Sequence, residues 1–169
     1  SSTDLGGNLG KGEESNEFDV GASYSTNIKR TKNHALSAKA GFEHWTYTGD
    51  YDNIIFTGID YQGPVNASLT LFQAIGHDEI PSGNSLLTKI SKSFPLGKAC
   101  SITPKISAAY MNNFYGNKGL AHTTIGTEFN YKTDLARITA TLDRQLGFIK
   151  ENPVIHDQTY GSIGISVDF

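Results

Sequence analysis

The last eight residues of the chain, "SIGISVDF" (Ser162–Phe169), alternate strictly between apolar and polar or small side chains. The apolar members occupy every second position: Ile163, Ile165, Val167 and Phe169. Successive side chains of a β-strand point to opposite faces, so this segment predicts a strand with one apolar face and one polar face. A soluble sheet turns its apolar face to a core, whereas a transmembrane barrel turns it to lipid. The rest of the sequence has to decide between these two arrangements.

The same alternation recurs along the chain and predicts nine strands. The other eight segments are "EFDVGASYST", "ALSAKAGFE", "IFTGIDYQ", "VNASLTLF", "LLTKISKSF", "CSITPKISAAY", "AHTTIGTEFNY" and "ARITATLD". Pro104 lies inside the sixth of these and predicts a bulge or a broken ladder there, because proline lacks a backbone N–H. A tenth strand is expected in "SSTDL" (Ser1–Leu5), although a spanning strand needs about 9–11 residues.

Composition limits the class of protein. The 169 residues suffice for one domain, which we assign to residues 1–169. The formal net charge of −3 disfavours a nucleic-acid partner, and the single cysteine, Cys100, excludes a disulfide framework. The first residue is Ser1 rather than Met, which indicates a processed chain or a fragment of a longer one.

The predicted connections alternate in length. Short ones read "IKRTKN", "QGP", "PLGK" and "KTDL"; the others read "GGNLGKGEESN", "TYTGDYDN", "GHDEIPSGN", "NNFYGNKG" and "GFIKENPVIHD". Outer-membrane barrels have short periplasmic turns and longer outer loops. Acidic residues concentrate on the long side, and the short side is mainly basic: Lys29, Arg30, Lys32, Lys98 and Lys132. The acidic loops are either ordinary solvated loops or a rim that binds divalent cations or gathers cationic solutes.

The polar face of the predicted strands carries ten charged candidates for lining a lumen: Asp19, Lys39, Glu43, Asp60, Lys89, Lys105, Glu128, Arg137, Asp143 and Asp168. Each unpaired ion in a soluble core would cost several kcal/mol, whereas a polar lumen keeps such groups paired and hydrated. Small residues lie between the charges, for example Ser37, Gly58, Ser68, Ser107 and Gly126. They are compatible with a narrow wet passage and also with a barrel plugged by paired charges.

Enzyme chemistry is not expected. None of the five histidines (His34, His44, His77, His122 and His156) adjoins a recognisable nucleophile motif, and no Gly-x-Ser-x-Gly sequence occurs. No two histidines have a spacing that suggests a metal site, so we predict no metal and no cofactor. Aromatic residues near the predicted strand ends are typical of interfacial girdles; they include Trp45, Tyr61, Phe94, Tyr110, Phe114, Tyr115, Tyr131, Phe148 and Tyr160.

The end of the chain resembles that of bacterial outer-membrane β-barrel proteins. Ser162, Gly164, Val167 and Phe169 match that family's C-terminal assembly signal, and "GIDYQGPVNASLTLF" with "KSFPLGK" resembles an uncharacterised proteobacterial outer-membrane group. The resemblance implies an antiparallel up-and-down transmembrane β-barrel of about ten strands, or twelve if upstream sequence is missing.

The same resemblance implies a location but brings no known activity. It predicts a Gram-negative outer-membrane protein with extracellular long loops and periplasmic short turns. Its partners would be outer-membrane lipid, lipopolysaccharide, the barrel assembly machinery and possible partner subunits. The expected function is a narrow porin-like channel or a structural barrel subunit of a larger assembly. The alternatives are a lipid-modifying outer-membrane enzyme and a soluble lipocalin-like ligand-binding barrel.

Overall fold

The computed structural model of the chain describes residues 18–47, 50–76, 82–133, 135–149 and 156–167, with only the backbone for residues 18, 19, 47 and 50. The described part is all-β and contains no helix. Its strands are β1 (Phe18–Arg30), β2 (Ala35–Tyr47), β3 (Asp50–Gln62), β4 (Asn66–Ile75), β5 (Gly83–Ser91), β6 (Phe94–Pro95), β7 (Cys100–Phe114), β8 (Asn117–Lys132), β9 (Ala136–Gly147) and β10 (Gln158–Val167). No described segment is a helix of the length and apolarity needed to cross a membrane.

The strands form one antiparallel, up-and-down sheet in the order β1-β2-β3-β4-β5-β7-β8-β9-β10, with the short β6 paired to β7 beside that path. This confirms the predicted all-β, up-and-down architecture. No hydrogen-bonded pairing joins β1 to β10 among the described residues, so the sheet is not closed by its own ladder. The predicted strand at Ser1–Leu5 lies outside the described residues.

The two faces of the sheet differ in burial as the alternation predicts. On neighbouring strands Ile59 pairs with Leu69, and both are exposed, whereas Asp60 pairs with Ser68, and both are half-buried. The buried face has no second layer in the described part of the chain, so curvature of the sheet itself must shield it. We call the buried face the inner face and the opposite one the outer face.

The predicted alternation of long and short connections is wrong at two places. "TYTGDYDN" was expected to be a loop, yet β2 continues to Tyr47 and β3 begins at Asp50. "NNFYGNKG" was also expected to be a loop, yet β7 continues to Phe114 and β8 begins at Asn117. Polar residues can extend a strand beyond the apolar band, because backbone pairing there does not depend on an apolar face.

The β7–β8 hairpin turns on Tyr115 and Gly116, which have φ values of 49° and 74°. Positive φ at both central residues is the requirement of a tight two-residue hairpin turn, and glycine meets it without a Cβ clash. Tyr115 is a non-glycine residue in this region, and its ring packs edge-on against Phe114 with centroids 4.7 Å apart. The Asn117 amide donates hydrogen bonds to the carbonyls of Phe114 and Tyr115, which holds the turn.

Pro104 does not create a bulge, but the ladder with β5 is broken beside it, which is the other outcome that the sequence predicts. It pairs with Thr127 of β8 in unbroken register, and its carbonyl accepts a hydrogen bond from the Lys92 amide. The β5–β7 ladder ends at the pairing of Ser91 with Lys105, the residue that follows Pro104 in the chain. Pro104 therefore stands where β7 loses its β5 partner, so its missing N–H removes no ladder bond. The strand predicted through Phe94 is likewise divided into β5 and β6.

Candidate functional site

The inner face carries a buried ion pair that spans three strands. Lys105 of β7 and Asp143 of β9 both stand opposite Gly126 of β8 in the register. The Lys105 Nζ lies 2.9 Å from Asp143 Oδ2, and Asp143 is only 5% exposed. A Cβ on residue 126 would collide with the Asp143 carboxylate. The glycine therefore leaves the space in which the two side chains meet.

A second ion pair lies on the inner face near the other edge of the sheet. The Lys39 Nζ of β2 donates to Asp60 Oδ1 of β3 at 3.1 Å. Lys39 stands opposite Gly58, and its side chain crosses the space that a Cβ there would occupy. Both inner-face ion pairs thus depend on a glycine beside the lysine.

The remaining predicted lumen residues are spread over several strands. Glu128 accepts a hydrogen bond from the Asn130 amide at 2.7 Å. Glu43 stands opposite Ile54, Lys89 opposite Ser68 and Ser107, and Arg137 opposite Lys132 and Ser166. Asp19 is described only by its backbone, opposite Trp45, and Asp168 lies outside the described residues.

The inner face carries an apolar cluster near the β7–β8 turn, which the alternation pattern did not predict. Ile54, Ala74 and Phe114 form a buried cluster, and Trp45, Phe72, Met111 and Tyr115 pack against it. A second cluster of Ala109 and Ala121 contacts Leu87, Met111 and Ile149. The prediction that Trp45, Phe114 and Tyr115 belong to an interfacial girdle is therefore wrong for these three. Trp45 is two residues from Glu43 in β2, so the two side chains share a face. This spacing in the sequence could have predicted that Trp45 lies on the inner face.

The Tyr115 hydroxyl lies in a partly buried site close to Asp52, a residue that is itself 4% exposed. Burial first, and then the nearby Asp52 carboxylate, raise the pKa of the Tyr115 phenol above its ordinary value. The group is outside the strands, in the β7–β8 turn. At neutral pH the Tyr115 phenol therefore keeps its proton and can donate a hydrogen bond to a carboxylate.

Two of the described histidines have ring partners other than serine. His34 Nδ1 lies 2.6 Å from the Tyr61 hydroxyl, and the two rings stack. His44 Nδ1 lies 2.8 Å from Asn53 Oδ1. His122 is on the inner face, opposite Gly147, while His77 lies outside the described residues. Within the described ranges, no three His, Cys, Asp or Glu residues are grouped in a way that could hold a metal ion.

The outer face is largely apolar and exposed, with polar exceptions such as Gln73 and Arg144. Its large exposed side chains include Val20, Tyr24, Ile28, Ile55, Ile59, Leu69, Leu71, Ile90, Ile106, Tyr110, Ile125, Phe129, Ile138, Leu142, Ile163, Ile165 and Val167. Soluble monomers rarely expose a contiguous apolar patch of more than a few hundred Å². Ser162, Gly164 and Val167 of the C-terminal pattern lie in β10, and Phe169 lies outside the described residues.

No family model, curated protein or solved structure matches the chain.

Proposed function

We propose that this chain forms the wall of a transmembrane β-barrel in the outer membrane of a Gram-negative bacterium. The observation that supports the proposal is the large number of exposed apolar side chains on the outer face, on a sheet whose opposite face holds the Lys39–Asp60 and Lys105–Asp143 ion pairs. Lipid is the medium that stabilises such a face, since a β-barrel exposes alternate apolar side chains to hydrocarbon. A soluble lipocalin-like barrel would need the reverse placement.

The inner face supports the same proposal. Burying an unpaired charge is costly, and two of the inner-face lysines, Lys39 and Lys105, each have a carboxylate oxygen within 3.1 Å. Small residues such as Ser68, Ser107 and Gly126 accompany them. A polar interior with paired charges is typical of small outer-membrane barrels.

Within this class, a structural barrel with a filled interior is the better supported form. The cluster around Ile54 and Phe114 fills part of the inner face near the β7–β8 turn, and a wide aqueous pore would leave these apolar side chains wet. A narrow porin-like channel is the second candidate, because small and charged residues line the opposite part of that face. An enzymatic function is supported by no described group of residues.

The orientation is assigned from the longest connection. It joins β9 (Ala136–Gly147) to β10 (Gln158–Val167), and we assign its end of the sheet to the cell exterior. The end that holds the β1–β2, β3–β4 and β8–β9 connections then faces the periplasm, although the β2–β3 and β7–β8 connections at the exterior end are just as short. Lipopolysaccharide would then contact the opposite end. Ser162, Gly164, Val167 and Phe169 would be the residues read by the barrel assembly machinery.

The test is refolding of the full chain into phospholipid vesicles, followed by flotation and cold versus boiled electrophoresis. We expect the protein to float with the vesicles and to migrate differently before and after boiling. A folded, monodisperse protein in detergent-free buffer would contradict the membrane proposal. Planar-bilayer recording then separates the two forms: a silent barrel supports the structural role, and discrete conductance steps support the channel.

A further inference from the structure

The end of β7 contacts strands that are not its neighbours in the sheet. Between β3 and β7 the sheet holds β4 and β5. Phe114, the last residue of β7, nevertheless packs in one buried cluster with Ile54 of β3 and Ala74 of β4. Tyr115 packs against the same cluster, and its hydroxyl is close to Asp52 of β3. The end of the β7–β8 hairpin therefore lies across the inner face.

A bulge in β7 turns Phe114 inward. Ser85 pairs with Met111 in the β5–β7 ladder. Asn84 pairs with Asn113 rather than with the residue next to Met111, so β7 has one extra residue here. Such a bulge bends the strand and shifts its alternation by one. Met111 and Phe114 are three residues apart and would point to opposite faces of a regular strand, yet both contact the inner-face cluster.

The bend at Asn113 is fixed against the start of β5. Asn113 has a φ of 57°, in the left-handed region that asparagine adopts more readily than most residues. Its side-chain amide donates a hydrogen bond to the Ser82 carbonyl at 2.9 Å. A Cβ at Gly83 would collide with the Asn113 backbone, so the glycine permits this close approach. Residues beyond Asn113 extend over the interior from a fixed base.

Side-chain contacts hold the turn in this position against its own backbone preference. Tyr115 has a φ of 49°, which costs a non-glycine residue conformational energy. Phe114 is only 8% exposed, and its burial offsets that cost. The β7–β8 ladder continues to the pairing of Phe114 with Asn117, so the turn and the end of the ladder move together. Loss of the contacts to β3 and β4 would therefore free the whole hairpin end.

We propose that residues 113–116 are a lid over the exterior end of the barrel interior, and that displacement of this lid opens a passage for small hydrated ions. The burial of Phe114 and the contact between Tyr115 and Asp52 keep the lid closed. Away from the lid, the inner face carries ion pairs and small side chains, a lining that water wets. The inference rests on the proposed membrane barrel and deepens it, because the filled and the conducting forms become two states of one protein.

The first experiment tests where the lid lies. Asp52→Cys and Tyr115→Cys are combined in a Cys100→Ser background, and the full chain is refolded in detergent micelles and in vesicles. A short bis-methanethiosulfonate reagent, whose links a reducing agent cleaves, should join the two residues within one chain. Asn53→Cys with Tyr115→Cys is the matched control, because residue 53 adjoins residue 52 but pairs with the exposed, outer-face Ile75. We expect several-fold more linked monomer for the test pair.

The second experiment tests what the lid does. Planar-bilayer recording compares the linked Asp52→Cys/Tyr115→Cys protein with the same protein after reduction. Reduction removes the link and leaves neither of the two native side chains to hold the lid. We expect the linked protein to be nearly silent, and discrete steps with a several-fold higher mean conductance to follow reduction. The parent chain in the same reducing agent is the control and should stay nearly silent.

Trp45 gives a readout that needs no cysteine. It is the single tryptophan of the chain, and it packs against the cluster that the lid covers. We expect acrylamide, which quenches from water, to quench its fluorescence more strongly in Tyr115→Ala than in the parent. Tyr110→Ala is the matched control, since it removes an exposed tyrosine from β7 that belongs to neither cluster of the described residues. The control should keep the quenching constant of the parent.

Either of two results would overturn the inference. Equal cross-linking yields for the test and control pairs would show that the turn does not lie over β3. Linked and reduced proteins that are equally silent, or that conduct equally, would show that the turn does not close the interior. If the cysteine variants do not fold, an unchanged Trp45 quenching constant in Tyr115→Ala contradicts the lid. Flotation is scored on the same samples: cross-linking without flotation rejects only the membrane function, and flotation with equal yields rejects only the lid.

Discussion

Lys105 and Asp143 form an ion pair across an intervening strand, with Nζ 2.9 Å from Oδ2 and Gly126 between them. The pair connects β7 and β9, which are not neighbours in the sheet. Asp143 is buried to an extent that makes an unpaired carboxylate costly. This ion pair therefore depends on the absence of a side chain at Gly126 as well as on the two charged groups.

Removing one member of this pair should be worse than removing both. We expect Lys105→Met to destabilise the folded barrel by about 3–5 kcal/mol, because it leaves the Asp143 carboxylate buried and unpaired. The double variant Lys105→Met/Asp143→Leu should recover much of that loss. The free energy of unfolding of each variant is measured by urea denaturation of the protein refolded in vesicles. If the double variant loses as much stability as the two single variants together, the two residues are not energetically coupled.

Gly126→Ala should destabilise the barrel by roughly 1–3 kcal/mol, because the new Cβ would collide with the Asp143 carboxylate and displace it from Lys105. Gly164→Ala is the matched control, since a Cβ there meets nothing within 4 Å. The control should stay within about 0.5 kcal/mol of the parent chain. Equal free energies of unfolding for the two variants would argue against crowding at residue 126.

The two faces of β9 can be compared at adjacent residues. Ile138 is on the exposed outer face, and Arg137 is on the inner-face parity. Ile138→Lys should cost about 2–4 kcal/mol in vesicles, because it places a charge against hydrocarbon. Arg137→Ala should change stability little. Similar losses from both substitutions, measured by urea unfolding, would reverse the assignment of the faces.

The Tyr115 phenol should make stability depend on pH at the alkaline end. Its pKa is raised in the folded protein, so the folded state holds the proton more tightly than the unfolded chain. That contribution is complete below a pH of about 10, the ordinary tyrosine pKa, and is lost as the pH rises above it. The difference in unfolding temperature between the parent and Tyr115→Phe, measured from pH 8 to 11, should shrink over that range. A constant difference would exclude this role.

The alternation of Ile59 with Asp60, and of Leu69 with Ser68, predicted both the strands and their faces, because a period of two is a local property. The strand ends were harder to predict, since the polar residues around Gly49 and Gly116 suit either a loop or a paired extension. Asp52 and Tyr115 are far apart in the chain, and no local pattern indicates their contact. Gly126 could be predicted as small, but its role required the register of three strands.

The most direct test of the central claim compares two neighbouring residues of β4 at the same depth. Leu69→Cys and Ser68→Cys are each made in the Cys100→Ser background, spin-labelled and refolded in vesicles. Power-saturation measurements then give the accessibility of each label to oxygen, which is concentrated in lipid, and to a water-soluble nickel complex. We predict a high oxygen-to-nickel ratio at residue 69 and a much lower ratio at residue 68. Equal ratios, or a higher ratio at residue 68, would contradict a lipid-facing outer surface.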